Sequence, residues 1–586
     1  MLTRLPEHSG TIAMRGGFVD DDGDSWYRIE GHDAQAPFFV ALASDSDLWA
    51  FVSTAGSLAA GRRDAEGAFL PYETVDKIHL RWEHTGPRTW IRILFRDAPA
   101  QLWQPFAPRP EGGAGARSVW KNLSGTRLRL CEQHASGRLV FEYEWSTAAE
   151  LGLVRSVRLR APHGPVAVQV LDGVLNLVPP GVSVAQSATL SNLTTAYKWN
   201  EAAVGGRAGL FTLYAKLWDR AQPKESFEAL VAWHAGLASA EGPAGLPVAR
   251  TLLSAHQVGE FCRTGQVVEE TLTRGRAGAF LVHFEAQIDG AGLEWHQVID
   301  SPLSQVQAFE LCQRLQAGGG TPGEIRASVA RNLAGLDELL ARADAFQHSA
   351  DPMAAAHHRA NVLFNIMRGG VFADGTRFDR DELLAFLRRR NRSLAQALGG
   401  AIAAWPQKVE RAFALEQAHA LGGPRAERLV LGYLPLTFSR RHGDPSRPWN
   451  RFSIGVRDAA GQRVIGYEGN WRDIFQNWEA LIPSQPEYLG SMLEVFLGAM
   501  TPDGYNPYRI GHDGIDWEVI AADDPWSYIG YWGDHQVIYL LKFLEAAQAR
   551  EPALLAALWD QALTASPTCP TGSSLTRSRP RSPRPP

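Results

Sequence analysis

The sequence predicts a multidomain protein that is β-rich first and α-helical afterwards: a large antiparallel β-sandwich, a helical linker and a helical domain. A chain of 586 residues is too long for one ordinary hydrophobic core, so two or three domains are expected. Short apolar runs rich in Val, Ile, Phe, Tyr and Trp dominate before residue 300, and helical periodicity dominates after it. We therefore assign residues 1–300 to the sandwich, 301–350 to the linker, 351–563 to the helical domain and 564–586 to a disordered tail.

The composition is that of an ordinary globular protein. Apolar residues make up 45% of the chain, charged residues 21%, and the net charge is −5, so neither nucleic acid nor an anionic membrane is expected as a partner. The four cysteines, Cys131, Cys262, Cys312 and Cys569, lie far apart and form no CxxC pair, which favours a reducing compartment. The first residues lack a signal-peptide core and no apolar run approaches a membrane span. We expect a cytoplasmic protein. Its oligomeric state stays open, a homodimer included.

The strand-like segments before residue 300 are bounded by Gly, Pro, Asn and Asp clusters, the pattern of an antiparallel sandwich. They are RTWIRILFRD, RLVFEYEWS, GPVAVQVLDGVLNLV, GLFTLYAKLW and AGAFLVHFEAQI. No repeat of fixed period is visible, which argues against a propeller or a solenoid.

Two amphipathic segments, SPLSQVQAFELCQRLQ and TPGEIRASVARNLAGLDELLARADAFQ, form the predicted linker. Each opens with Ser or Thr followed by Pro, at Ser301 and Thr321, which is the signature of an N-cap and a first helical residue. The glycine run 318–320 between them should end the first helix.

The helical domain contains five clear helical segments joined by long polar loops. They are AAAHHRANVLFNIMRGG, DRDELLAFLRRRNRSLAQAL, QKVERAFALEQAHAL, EYLGSMLEVFLGAM and DHQVIYLLKFLEAAQA. Asp379 is placed to cap the second segment, with Glu382 three residues later as in a capping box. The tail is rich in Pro, Arg and Ser and should be disordered.

Residues 467–535 carry the chemistry that stands out most. Five tryptophans lie here, Trp471, Trp478, Trp517, Trp526 and Trp532, among acids that include Glu468, Asp473, Asp516, Glu518, Asp523, Asp524 and Asp534. Carboxylates supply general acids and bases, and flat aromatic faces stack on sugar rings. The segment indicates a cleft for carbohydrate or a similarly hydroxylated ligand. The alternative is two ordinary helices joined by an acidic loop.

Asp473 lies at an apparent helix start, where acids are often simple caps. Asp516 and Glu518 flank Trp517, so on an extended segment their side chains leave the same face, and either could act as a base. Metal-ligand spacing and nucleotide-binding glycine motifs are missing from the sequence.

A basic loop precedes this segment. Arg440, Arg441, His442 and Arg447 lie within eight residues of one another and could clamp an anion such as phosphate. The alternative is that they pair with the acids of the following segment.

The layout, together with the segment GNWRDIFQNWEAL, resembles the six-hairpin glycosidase superfamily, which includes disaccharide phosphorylases and glucoamylase-like hydrolases. The segment is similar to the Gly-Asp-Trp-Asn-Asp segment that holds the general acid of the phosphorylases. This chain departs from that pattern, with Asn470 in place of Asp and Arg472 in place of Asn. The resemblance implies an (α/α)6 toroid for the helical domain and the general-acid role for Asp473.

The resemblance also implies cleavage of a glycosidic bond with inversion, in a disaccharide or oligosaccharide. Hydrolysis would need a base, for which Asp516 or Glu518 is the candidate. Phosphorolysis would use inorganic phosphate as co-substrate, bound by Arg440, Arg441, His442 and Arg447. No other cofactor and no metal is expected. The candidate sugar contacts are Trp471, Trp517, Trp526, Tyr531 and Trp532.

Two alternatives remain open. An (α/α)6 toroid needs about twelve helices by the resemblance, and we count seven or eight, so the toroid is expected to be incomplete. The chain could then be a truncated or degenerate member that binds carbohydrate without turnover. Alternatively it could be a lyase or epimerase, in which Tyr531 and His535 would act near the acids.

Overall fold

The computed structural model describes most of the chain, in two compact units. The described residues are 14–21, 23–73, 77–108, 115–214, 228–238, 246–439, 453–458, 460–502, 504–507, 509–517, 530–532 and 537–560, with the backbone alone at 472, 530–532, 559 and 560. One unit comprises Met1–Asp337 with Gly443–Ile454, and the other Glu338–His442 with Gly455–Pro586. Within these ranges no helix combines the length and the apolarity that crossing a membrane requires.

The first unit is built mainly from antiparallel strands. They are β1 (Arg15–Asp21), β2 (Asp24–Glu30), β3 (Phe39–Leu42), β4 (Leu48–Ser53), β5 (Leu58–Arg62), β6 (Gly86–Ile93), β7 (Gln101–Trp103), β8 (Arg117–Asn122), β9 (Arg127–Gln133), β10 (Val140–Ala148), β11 (Gly152–Arg160), β12 (Val166–Leu177), β13 (Lys198–Ala203), β14 (Ala208–Leu213), β15 (Glu228–Ala235), β16 (Arg250–Leu252), β17 (Leu272–Arg274), β18 (Gly278–Ile288) and β19 (Leu293–Ser304). Its helices are α1 (Lys77–Leu80), α2 (Val184–Thr189), α3 (Ser191–Ala196), α4 (Val258–Thr264), α5 (Gln305–Gln316) and α6 (Pro322–Ala341).

These strands form an 11-stranded sheet (β1-β2-β8-β9-β10-β11-β19-β15-β14-β13-β17), a five-stranded sheet (β16-β18-β12-β6-β7) and a three-stranded sheet (β3-β4-β5). One hydrophobic core takes side chains from all three sheets, among them Val52, Val170 and Trp295. Phe284 of the five-stranded sheet meets Trp295 of the 11-stranded sheet with ring centroids 5.1 Å apart. The predicted large antiparallel, sheet-rich N-terminal region is confirmed.

The first linker helix begins later than predicted. β19 continues through Ser301 and Pro302, and the N-cap of α5 is Ser304, which forms a capping box with Gln307. The prediction of a cap at Ser301 is wrong because the strand continues to Ser304, where Leu303 and Ser304 still pair with β15. The predicted N-cap at Thr321 is confirmed. Its Oγ1 accepts a hydrogen bond from the backbone N–H of Glu324 (3.2 Å) at the start of α6.

The second unit is mainly helical. Its helices are α7 (Pro352–Gly369), α8 (Arg380–Arg390), α9 (Arg392–Ala403), α10 (Arg411–Leu431), α11 (Trp471–Glu479), α12 (Leu489–Gly498), α13 (Val537–Arg550) and α14 (Pro552–Asp560). Its short strands are β20 (Val371–Phe372), β21 (Arg377–Asp379), β22 (Lys408–Glu410), β23 (Leu436–Thr437), β24 (Glu468–Asn470), β25 (Tyr505–Pro507), β26 (Arg509–Gly511), β27 (Gly514–Asp516) and β28 (Gly530–Trp532). A sheet-rich region followed by helices is therefore observed, as predicted.

Two breaks in this unit follow from local chemistry. The segment predicted as one helix after Asp379 is two helices, because Asn391 leaves the helical conformation and its side chain caps α9 on the N–H of Leu394 (3.1 Å). The α10 helix is kinked at Gly422 and Gly423, just before Pro424, which cannot donate to the helix. Asp379 caps α8 as predicted.

Candidate functional site

A small antiparallel sheet brings together charged residues that are distant in sequence. β24 pairs with β26, which opposes Asn470 to Arg509, and β26 pairs with β27, which opposes Arg509 to Asp516. Directly opposed residues in antiparallel strands point to the same face, so Asn470, Arg509 and Asp516 form one row across the sheet.

The two faces of this sheet differ in polarity. Ile510 is buried on the face that points into the unit. The other face carries exposed Glu468 and Asp516, and Arg509 lies between their strands. The Nη1 of Arg509 lies 3.3 Å from Oε1 of Glu468. The sheet thus presents an accessible, charged surface with both signs of charge.

Asp473 lies in the helix that directly follows the first strand of this sheet. β24 runs directly into α11, with Asn470 as N-cap residue, so Asp473 is in the first turn of the helix. Its side chain is partly exposed, whereas the next residue, Ile474, is buried. The backbone carbonyl of Asp473 accepts a hydrogen bond from Nδ2 of the buried Asn477. The predicted placement of Asp473 at a helix start is therefore observed.

Trp471 is not available as a sugar platform. It is 0% exposed and packs against Phe475 and Phe496, with ring centroids 4.9 and 5.0 Å away. Trp478 is also buried, and its Nε1–H donates to the carbonyl of Gly369 (2.9 Å). These two tryptophans hold α11 in the core of the unit.

Trp517 has the accessible ring that a sugar contact requires. It follows β27 directly, is partly exposed and stacks on Tyr505 with centroids 5.9 Å apart and ring planes 9° apart. The backbone of Tyr531 and Trp532 lies in β28, which pairs with β25 and so brings both residues to the strand that holds Tyr505.

Two arginines from α8 hold the turn between β26 and β27. The Nε of Arg389 lies 2.7 Å from Oδ1 of Asp513. The Nη2 of Arg390 donates to the carbonyls of Gly511 (3.2 Å) and His512 (3.0 Å). Arg389 is exposed and Arg390 partly exposed, so both stay in contact with solvent while they hold the turn.

His512 anchors the same turn from inside. It is 5% exposed and surrounded by Phe386, Tyr433 and Tyr467, with centroids 5.1, 5.8 and 5.8 Å away. Burial lowers the pKa of His512 to about 4, so the imidazole is neutral at physiological pH. The turn that joins β26 to β27 is therefore anchored by a neutral histidine packed among aromatic rings.

Several predicted site residues lie outside the described residues: Arg440, Arg441, His442, Arg447, Glu518, Trp526 and His535. Sequence reasoning missed Arg509, Arg389 and Arg390. The sequence places Arg509 between two segments rich in aromatic and acidic residues, which could have drawn attention to it. Which residues it lies beside, however, is determined by the pairing of β26 with β24 and β27. Among the described residues, no group of three or more His, Cys, Asp or Glu side chains is arranged to hold a metal ion.

No protein-family model and no curated protein matches this chain. Among solved structures, 88% of the chain aligns with 80% of a bacterial glucoamylase complexed with acarbose, at 10% identity and a TM-score of 0.31. A structure assigned as a kojibiose phosphorylase from the human microbiome aligns over 90% of this chain and 64% of its own, at 8% identity and a TM-score of 0.31.

A third structure, a family GH92 α-mannosidase of Bacteroides thetaiotaomicron, aligns over 65% of this chain and 43% of its own, at 11% identity and a TM-score of 0.22. The chain thus spans less than two thirds of the phosphorylase and of the mannosidase.

Proposed function

We propose that this protein is a carbohydrate-active enzyme that cleaves a glycosidic bond with inversion, with Asp473 as general acid. The substrate is a disaccharide or oligosaccharide. Asp516 is the base if water is the nucleophile, and Glu518 is the second candidate for that role. The helical unit as an (α/α)6-type toroid belongs to the same proposal.

The observation that carries this proposal is the row formed by Asn470, Arg509 and Asp516, which ends at the helix that bears Asp473. Opposed Cα atoms in antiparallel strands are about 5 Å apart, so two strand spacings put Asp516 about 10 Å from Asn470. Inverting hydrolases separate their two carboxyl groups by about 6.5–9.5 Å to admit a water molecule. The carboxylates of Asp516 on the third strand and of Asp473 in the first turn of the following helix are our candidates for such a pair.

The residues between the two carboxylates suit a sugar. Arg509 offers guanidinium N–H donors to sugar hydroxyl groups, and its ion pair with Glu468 keeps it extended over the sheet. The stacked pair of Trp517 and Tyr505 supplies a flat apolar face at the end of β27. Polar donors beside an aromatic face are what binding a pyranose ring requires.

The chemistry then follows from the two roles. The protonated carboxyl group of Asp473 gives its proton to the glycosidic oxygen as the bond to the anomeric carbon breaks. In hydrolysis, the ionised carboxylate of Asp516 accepts a proton from the water that attacks the opposite face. In phosphorolysis, phosphate attacks directly and needs no base. Arg440, Arg441, His442 and Arg447 are then the proposed phosphate clamp.

The test is sugar release from a panel of α- and β-linked disaccharides, with and without phosphate. The wild-type chain is compared with Asp473→Asn, Asp516→Asn and the control Glu487→Gln, which removes an exposed carboxylate elsewhere in the same unit. We expect Asp473→Asn to lower kcat at least 100-fold, as removal of a general acid does, and the control to leave it unchanged.

The pattern of loss identifies the reaction. Phosphate-dependent release of a sugar 1-phosphate that survives Asp516→Asn identifies a phosphorylase, and phosphate-independent release lost in Asp516→Asn identifies a hydrolase. Sugar binding without turnover would replace the proposal by the non-catalytic binding protein. Neither turnover nor binding by any panel member would refute the carbohydrate proposal.

A further inference from the structure

The hairpin formed by β26 and β27 carries two residues of the candidate site, but its own turn holds it poorly. The turn consists of His512 and Asp513 alone. The favoured two-residue hairpin turns need a positive φ at the first of these positions, and His512 does not have one. Each strand is only three residues long, and a short hairpin is marginally stable by itself. Contacts from outside the hairpin are therefore needed to fix the positions of Arg509 and Asp516.

Arg390 of α8 supplies such a contact. Its Nη2 donates to two successive carbonyls of the turn, those of Gly511 (3.2 Å) and His512 (3.0 Å). This nitrogen carries two N–H groups, so one planar guanidinium group can serve both carbonyls at once. Hydrogen bonds from a charged donor are also stronger than those from a neutral one. The end of α8 is thus bonded directly to the backbone that joins β26 to β27.

The arginine is itself held in place by packing. The ring centre of Phe386, one turn earlier in α8, lies 5.3 Å from the guanidinium carbon of Arg390 and 5.1 Å from the ring centre of His512. The same aromatic ring therefore contacts both the arginine and the turn that the arginine holds. The next residue, Asn391, caps α9, so the backbone of Arg390 lies where two helices meet. Both the side chain and the backbone of Arg390 are restrained.

Arg389 contributes less to this hold, although its Nε lies 2.7 Å from Oδ1 of Asp513. The two side chains are 41% and 75% exposed, and water screens exposed ion pairs of this kind. Arg390 is only partly exposed and bonds the backbone instead of a mobile side chain. The hold on the hairpin therefore comes mainly from Arg390.

We propose that Arg390 is a positioning residue for the candidate sugar site, which fixes the turn and, through the turn, the places of Arg509 and Asp516. These two residues oppose each other two pairs away from the turn, so a change in the turn displaces both. The role of Arg390 towards a sugar rests on the proposed function, whereas its hold on the hairpin is measurable without a substrate. A displacement of about 1 Å, caused by a mutation far from the chemistry, can lower a rate about 100-fold.

The test compares the wild-type chain with Arg390→Met, Arg390→Lys and the control Arg388→Met, which removes an exposed arginine from another face of α8. Hydrogen exchange followed by mass spectrometry measures the hold on the hairpin. In Arg390→Met the amides of residues 509–516 should exchange at least 10-fold faster, while wild-type rates in the β-rich unit and in α7 show that the chain is folded. Lysine keeps the charge without the planar donor group, so Arg390→Lys should lie between the two. The control should match the wild type.

Kinetics on a disaccharide that the wild type cleaves measure the effect on the site. We expect kcat/KM to fall at least 10-fold in Arg390→Met and to recover partly in Arg390→Lys. Arg390→Met should add little to the loss caused by Arg509→Met, because both remove the contribution of a correctly placed Arg509. A general loss of stability would instead multiply the two losses.

Unchanged exchange of residues 509–516 in Arg390→Met would overturn the role of Arg390, whatever the activity. Faster exchange with unchanged kcat/KM, or losses that multiply in the double variant, would overturn it as well. A wild-type chain that neither binds nor cleaves any sugar of the panel refutes the proposed function, and with it any role of Arg390 towards a sugar. The two failures are distinguishable, because the first appears only in the variants and the second already in the wild type.

Discussion

Arg155 and Asp172 form a bidentate ion pair, both fully buried, that joins the 11-stranded sheet to the five-stranded sheet. Nη1 of Arg155 lies 2.7 Å from Oδ2 of Asp172, and Nη2 lies 2.8 Å from Oδ1. Asp172 also accepts from Thr89 (2.6 Å) and from Nε1 of Trp295 (2.8 Å). A carboxylate with four donors is well compensated, whereas either partner left alone would be a buried charge.

We therefore predict that Asp172→Asn lowers the free energy of unfolding of the β-rich unit by about 3–5 kcal/mol, because Arg155 keeps a buried charge without its partner. The measurement is guanidinium denaturation followed by tryptophan fluorescence. The double variant Arg155→Met with Asp172→Leu should recover much of this loss, since no charge is then buried. A double variant less stable than the single one would contradict this explanation.

Glu494 predicts one pH dependence in the helical unit. It is 5% exposed, and burial raises its pKa to about 7, against the opposing effect of Arg428 at 3.2 Å. The folded state therefore binds a proton that the unfolded state has released above about pH 4.5, and stability falls as pH rises from about 4.5 to 7. As pH rises through this range, the free energy of unfolding of Glu494→Gln should increase relative to wild type by up to about 3 kcal/mol. Urea denaturation followed by circular dichroism at 222 nm measures it.

His512 predicts the opposite slope in nearly the same window. Its pKa falls from 6.5 to about 4 on burial, so the unfolded state binds a proton that the folded state lacks. Stability contributed by His512 is present above pH 6.5 and is lost as pH falls towards 4, by up to about 3 kcal/mol. His512→Phe, which suits the aromatic surroundings, should remove this loss. Because the slopes of Glu494 and His512 oppose each other, they should partly cancel in wild type, and a flat profile in both variants would contradict both assignments.

Asp379 predicts a local effect. Its carboxylate accepts from the N–H groups of Asp381 (2.9 Å) and Glu382 (3.3 Å) at the start of α8. Asp379→Ala should lower the free energy of unfolding by about 1 kcal/mol, as loss of an N-cap does. Asp379→Asn should lower it less, because the amide oxygen can still accept the capping hydrogen bonds. Equal losses for the two variants would point to the charge, or to the bond from Gln407 (2.7 Å), rather than to the cap.

The general-acid role of Asp473 predicts a dependence on the leaving group. A glycosyl fluoride needs less protonation to leave than a sugar alcohol does. Asp473→Asn should therefore lose at least 100-fold in kcat on a disaccharide and much less on the matching glycosyl fluoride. Steady-state kinetics on both substrates measure the ratio. Equal losses on the two substrates would assign Asp473 a positioning role instead.

Periodicity located most elements because it records which side chains are buried. β6, β10, β12 and β18 lie where apolar runs predicted them, and Val166–Leu177 reads as a nearly continuous apolar run because it is a central strand covered on both faces. The break at Asn391 was missed because a cap inside a charged helical pattern leaves the periodicity intact.

The sequence by itself determined what local chemistry decides: a β-rich region followed by helices, the caps at Thr321 and Asp379, and the helix start that bears Asp473. Only the tertiary structure decided which residues meet. Strand pairing placed Arg509 between Asn470 and Asp516. Core packing buried Trp471, although the many acids and aromatic residues of its segment had suggested a sugar contact. Local elements depend on neighbours within a few residues, whereas a site depends on the register and packing of distant segments, which no local pattern records.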